Sequence, residues 1–354
     1  MKKILLPLFL LLSSSAFAFV DVDSLPGNPQ NAWEEDLEKE NHNYSDIVIK
    51  NVQIELENFP YAFNPSLLKA DEGLILAFRY CPDIEKDYIS SIGIVLLDDD
   101  LAPVGKPQIL DIPHPDSSIP PHQEDPRLIR WNRKIYLVYN DCLANVKSHL
   151  TDRRDMFFVE LILSDGKFFL GEPVKLVYEE KYDTQVCQKN WVPFVYDDHL
   201  LFAYSMTPHE ILFPDTKNGK CSPIYSTQAN TGWQWGQLRG GTQAELWDGE
   251  YLSFFHSSKK EATAASKGKL IKHYFVGAYT FSAKPPFSIT KLTPAPIVGK
   301  IYYSADKIGQ RVVFPGGMVI RENDILLAYG RNDREIWIST IDKHKLKRYM
   351  KPVE

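Results

Sequence analysis

Glu124-Asp-Pro-Arg-Leu-Ile-Arg-Trp-Asn-Arg-Lys-Ile-Tyr-Leu-Val-Tyr139 has a shape that recurs along the chain. A polar opening leads into an apolar strand, a turn with Asp, Asn or Gly, and a second apolar strand. The same shape returns at residues 64–79, 190–204, 240–255 and 314–329, with starts 60, 66, 50 and 74 residues apart. Each interval holds about four strands and their loops, the content of one propeller blade. Five such units predict an all-β fold, a five-bladed β-propeller over residues 46–345. One strand, at 46–56, precedes the first repeat, and one, at 335–341, follows the last hairpin. The last blade is therefore expected to borrow the N-terminal strand and close the ring. A β-sandwich or two stacked β domains is the alternative.

Outside the repeats, Lys2 and Lys3 precede an apolar run at 4–12 and a small-x-small site, Ala16-Phe17-Ala18. This predicts a signal peptide over 1–18 and a secreted or periplasmic protein, against an uncleaved anchor. Residues 19–45 read as an irregular lead-in with a short helix near 32–40, and residues 346–354 as a tail. No second long apolar run predicts membrane contact after cleavage. The net charge is -6 with no basic block, which argues against a nucleic-acid partner. Cys81, Cys142, Cys187 and Cys221 form no metal-ligand spacing; two disulfides and buried free thiols both remain open. No metal or organic cofactor is expected, and the oligomeric state is not legible.

In a propeller the openings of the inner strands meet at one mouth of the central channel. They bring Asn64 and Ser66; Glu124, Asp125 and Arg127; Lys189, Asn190 and Trp191; Arg239, Gly240, Gly241 and Thr242; and Pro315, Gly316 and Gly317 to one funnel. A core would not choose these residues, because an unpaired buried charge costs several kcal/mol. Asp125 reads as a general acid, since a carboxyl shielded from water can keep its proton near neutral pH; a structural Asp–Arg pair is the alternative. The cations Arg127, Lys189 and Arg239 predict an anionic partner. Gly240 and Gly241 would let a ligand approach the backbone. Arg79, His209 and His256, at hairpin ends, are further binding candidates or plain loop residues. Trp233 and Trp235 read as a sugar-stacking platform or a packed corner. Residues 259–269 read as a solvated loop.

Glu124-Asp125-Pro126-Arg127, Lys189-Asn190-Trp191-Val192-Pro193-Phe194, Pro208-His209, Arg239-Gly240-Gly241-Thr242 and Phe314-Pro315-Gly316-Gly317 together resemble glycoside hydrolase family 130, in the family's order. The resemblance implies a five-bladed propeller that cleaves β-mannosides by hydrolysis or phosphorolysis with inversion. It implies Asp125 as the acid, and Arg127, Lys189, His209 and Arg239 as phosphate or anion contacts. Asn64, Arg79, Asn190, Trp191, Gly240, Thr242 and His256 would contact the oligosaccharide or glycoside substrate. Inorganic phosphate is the implied co-substrate of a phosphorylase, whereas a hydrolase needs a base, for which Glu124, then Glu245, are candidates. Export favours hydrolysis. Gln243 follows Thr242 where the family commonly has Pro. The alternatives are a glycan-binding propeller without turnover and a protein-interaction platform.

Overall fold

Each repeated hairpin becomes the inner pair of strands of an antiparallel sheet. The computed structural model describes residues 47–83, 89–113, 120–142, 153–182, 187–262, 270–297, 302 and 311–354. The expected signal peptide, lead-in and helix at 32–40 lie outside them.

After β1 (Val48–Ile54), the first unit is β2 (Ala62–Ala70), β3 (Gly73–Tyr80), β4 (Ser91–Leu97) and β5 (Pro103–Ile109), paired in that order. The second is β6 (Glu124–Trp131), β7 (Lys134–Cys142), β8 (Arg154–Ser164) and β10 (Val174–Tyr178), with β9 (Lys167–Leu170) beside β8. After a single-turn helix, α1 (Glu179–Tyr182), comes the third: β11 (Val192–Tyr196), β12 (His199–Met206), β13 (His209–Pro214) and β14 (Lys220–Thr227). A short parallel pairing of β10 with β14 fuses the second and third sheets. In the fourth unit the inner strand is split into β15 (Gln237–Gly240) and β16 (Glu245–Trp247); both pair with β17 (Glu250–Ala262), followed by β18 (Leu270–Ser282) and β19 (Ile289–Leu292). The fifth is β20 (Val313–Ile320), β21 (Asp324–Arg331) and β22 (Glu335–Asp342). Its fourth strand is β1, in register from Val48↔Ile341 to Ile54↔Ile336, so the N-terminal strand closes the last unit as expected.

Five apolar clusters hold the units, each drawing on two neighbours: Leu76 and Leu326 share one between first and fifth, Ile75 and Leu137 one between first and second, Val138 and Phe202 one between second and third, Phe194 and Tyr251 one between third and fourth, and Phe254 and Leu327 one between fourth and fifth. A strand packed on both faces needs a continuous apolar run rather than an alternating one. The stretch 74–78 of β3 is such a run, buried throughout, while the outer β5 is largely exposed.

The last residues, read as a tail, are docked. The Asp342 carboxylate accepts from the backbone N–H groups of His344 and Lys345 and caps α2 (Lys343–Tyr349), which buries Leu346 and Tyr349. β23 (Lys351–Pro352) then pairs with β19. None of the four cysteines is in a disulfide; Cys187 is exposed and the others are buried. Among the described residues, no helix is long and apolar enough to cross a membrane.

Candidate active site

Three inner-strand openings carry a residue with left-handed backbone: Asn64 (φ 47°), Asp125 (φ 52°) and Asn190 (φ 64°). Asn and Asp tolerate this region best after Gly. In β2 and β6 the pairing slips at this point, between Phe63 and Ser66 and between Glu124 and Arg127. Such bulges re-aim side chains. Asn64 Nδ2 thereby donates to Asp125 Oδ1 at 2.9 Å, joining the first and second units around the acid candidate.

Asn64, Arg79, Glu124, Asp125, Lys189, Asn190, Arg239 and His256 converge on one cavity of about 250 Å³. They come from all of the first four units. The fifth adds Phe314 and Asp333, and β18 adds Lys272 and Tyr274. A second cavity of about 370 Å³ adjoins it, sharing Lys189, Asn190 and Arg239, and adding Gln188, Tyr204, Ser205, Gln237 and Gly240 to its wall. Sequence reading missed Lys272, Tyr274 and Asp333. Lys272 and Tyr274 sit on β18, the third strand of its unit, just past the stretch 259–269 read as a solvated loop, of which residues 259–262 instead continue β17, and no local pattern marks them.

The charges divide into two groups. Glu124 is saturated: Arg79 Nη1 lies 3.2 Å, Arg154 Nε 3.1 Å and His122 Nε2 2.8 Å from its oxygens. Burial alone would raise its pKa, but Arg79, then the His122 hydrogen bond, Lys189 and Arg154, hold it well below the usual carboxylate range. So firmly ionised a carboxylate is a poor base. Glu124 therefore anchors Arg79 and Arg154 instead of activating water. The same cavity is lined by Lys189, Arg239 and Lys272, none of which has a carboxylate within ion-pair distance among the described residues. Burial opposes the charge of Lys189, yet Glu124 and Asp125 keep its pKa above the ordinary value. His256 stacks on Tyr274 with ring planes 18° apart and leaves Nδ1 without a hydrogen bond. Burial first, then Arg239, Arg127, Lys189 and Lys272, keep this imidazole neutral.

Four candidates, Arg127, His209, Thr242 and Glu245, line neither cavity. Arg127 is fully buried: Nε donates to Gly241 O at 2.5 Å, Nη1 to Asp125 O at 3.1 Å and Nη2 to Asn190 Oδ1 at 3.5 Å. It ties three units together behind the cavity, and burial lowers its pKa to about 10 against the pull of Asp125. His209 is in the core, with Nδ1 2.8 Å from Phe287 O and its ring against Phe281; burial pushes it down to about 4 despite that bond. Thr242 Oγ1 accepts from the Phe254 N–H and shapes the break between β15 and β16. Trp191 does border the second cavity, but it is 1% exposed and packs edge-on against Phe202 and Tyr204. Glu245 is outside both cavities, and burial raises its pKa. Gly240 does border the second cavity, yet a Cβ there would overlap the Asn190 carbonyl, so its bareness first serves contact between units. The Trp233–Trp235 pair is a packed corner, with Trp233 Nε1 donating to Ser257 Oγ at 2.8 Å.

Gln243, the departure from the family pattern, spans the middle of the ring. Its Nε2 donates to Met318 O at 2.7 Å and to Leu67 O at 3.4 Å, linking the first, fourth and fifth units. A proline has no amide to do this.

The family model described as β-1,4-mannooligosaccharide phosphorylase matches residues 30–352. No curated protein matches the chain. Among solved structures, a β-1,2-mannobiose phosphorylase from Listeria innocua superposes with a TM-score of 0.59 at 13% identity, covering 86% of this chain and 94% of that one. A mannose phosphorylase from Leishmania mexicana, in complex with phosphate, gives 0.55 at 11%, covering 90% and 98%. A structure from work on family hydrolases that target β-1,2-mannosidic linkages in Candida mannan gives 0.61 at 14%, covering 85% and 92%. At these identities the superpositions speak for the fold; the family match over nearly the whole chain speaks for descent, and the chain belongs to glycoside hydrolase family 130, whose members are glycoside phosphorylases or hydrolases.

Proposed function

We propose that this protein, exported through residues 1–18, cleaves a β-mannoside or a similar glycosidic bond by phosphorolysis with inversion. The observation that carries the reading is the set of three cations without carboxylate partners among the described residues, Lys189, Arg239 and Lys272, lining one cavity together with Asp125. Such a wall suits a phosphate dianion. Asp125 gives its proton to the leaving oxygen, and the Asn64 amide fixes the carboxyl's orientation. A phosphate oxygen held by Lys189 and Arg239 attacks the anomeric carbon from the opposite face. The carbon–oxygen bond to the leaving sugar breaks, giving a sugar 1-phosphate and a shortened glycan. Neutral His256 can accept a hydrogen bond from phosphate or a sugar hydroxyl. Hydrolysis is the second reading, and Asp333 favours it: burial, against Arg79 and with Asp125 and Glu124, pushes its pKa up to about 6, within the range of a working base. No organic cofactor or metal takes part in either route.

The test is incubation with β-1,2- and β-1,4-mannobiose, with and without inorganic phosphate. Phosphate-dependent release of mannose 1-phosphate is expected. Free mannose at a rate indifferent to phosphate would establish hydrolysis, and no product from either disaccharide would sink the mannoside assignment. Asp125→Asn should lower turnover by about 10²–10⁴-fold with ligand affinity retained.

A further inference from the structure

Directly opposite residues of paired strands share a face. On the face of the fourth unit that reaches the cavity, Arg239 stands opposite His256, and Gln237 opposite Ser258, which in turn faces Tyr274. One step further out β15 has ended, and Lys260 stands directly opposite Lys272. Like charges at opposed positions repel and weaken a sheet. Neither lysine has a carboxylate within ion-pair distance among the described residues, and both are exposed. Lys272 lies over the Tyr274 ring at 5.2 Å and borders the cavity. Burial, then Arg239, Lys189 and Lys260, hold its pKa below the ordinary value. From His256 to Lys260 is about 13 Å along the strand, so the pair marks the mouth of the cavity and Lys189 with Arg239 its interior.

We propose that the glycan taken by this site carries an anionic substituent, a carboxylate or a phosphate monoester, on a residue lying over Lys260 and Lys272. It rests on the reading of the cavity as a glycoside site and adds the substrate's charge. Two ammonium groups that repel one another are relieved by a shared anion, and a neutral mannoside would leave them as they are.

The experiment compares β-1,2- and β-1,4-mannobiose whose reducing sugar is oxidised to the carboxylate (mannobionate) with the same compounds reduced to the neutral alditol, and with a disaccharide 6-phosphate. Titration calorimetry on the Asp125→Asn enzyme in phosphate-free, low-salt buffer reads binding without turnover. An anionic member of the series is expected to bind about fivefold or more tightly than its alditol. The advantage should shrink at about 0.5 M salt and vanish in Lys260→Glu, while the alditol's affinity, which also reports folding, stays unchanged. Whether the carboxylate or the phosphate gains more identifies the substituent. Equal affinities across the series, or a preference that survives both Lys260→Glu and Lys272→Gln, would overturn the proposal. Charge-selective binding without mannobiose turnover in the unsubstituted enzyme would instead overturn the proposed reaction and leave the charge requirement standing.

Discussion

Glu124 and Asp125 are neighbours in sequence with opposite duties. The bulge turns Asp125 toward Asn64 and the cavity, while Glu124 is clasped by Arg79, Arg154 and His122. Glu124→Gln should leave two guanidinium groups without their buried counter-charge, costing about 3–5 kcal/mol in urea unfolding. Chemistry proper should fall less than in Asp125→Asn once both are compared at saturating substrate. Asp333 supplies a pH signature. Its folded carboxyl keeps a proton up to about pH 6, above its unfolded value. That contribution to stability is complete below the ordinary carboxylate pKa and is lost as pH rises through 6. Asp333→Asn removes the loss, so the variant should gain about 1–2 kcal/mol on the parent protein between pH 4 and pH 7.5, after allowance for water in the cavity. Paired denaturation curves at the two pH values check it; a constant difference would contradict the assignment. The sequence offered Asp125 through its Pro-Arg sequel. It offered Asp333 through nothing, because a carboxylate two residues past a strand looks like any turn.

At the scale of elements, the bulges at the inner-strand openings set the site. Their left-handed backbone was not read from the sequence, but the side chains of Asn64, Asp125 and Asn190 were expected at the mouth and do line the cavity. The glycines at the fourth opening serve packing between units more than ligand approach. A Cβ on Gly241 would overlap the Phe254 carbonyl and stand 2.9 Å from Pro315 O, across the boundary to the fifth unit. Gly241→Ala should therefore destabilise by about 1–3 kcal/mol and should also disturb Arg127, whose Nε donates to the Gly241 carbonyl. Thermal unfolding with and without a bound glycan measures both effects. His209 shows where reading by element failed. It follows a proline at a hairpin end, as a binding residue would, but the first residue of β13 points into the cluster between the third and fourth units.

For the whole molecule, closure is the controlling feature. β1 supplies the outer strand of the last unit, and its last residue, Ile54, joins the cluster that seals the first unit to the fifth. Deleting residues 1–54 should expose the edge of β22 and unseat that cluster, giving an aggregating or non-cooperatively unfolding chain; a soluble species with a single sharp transition would argue against the closure role. Sequence alone determined the β class, the repeat, the borrowed strand and the family, because spacing and strand-forming patterns are local properties that survive without coordinates. Which of the candidate cations face the cavity was decided only by tertiary structure. Lys189 and Arg239 face it, and Arg127 and His209 are spent on holding neighbouring units together. That choice depends on what each side chain meets from a distant unit, and contacts across some 60 to 110 residues leave no mark in the local pattern.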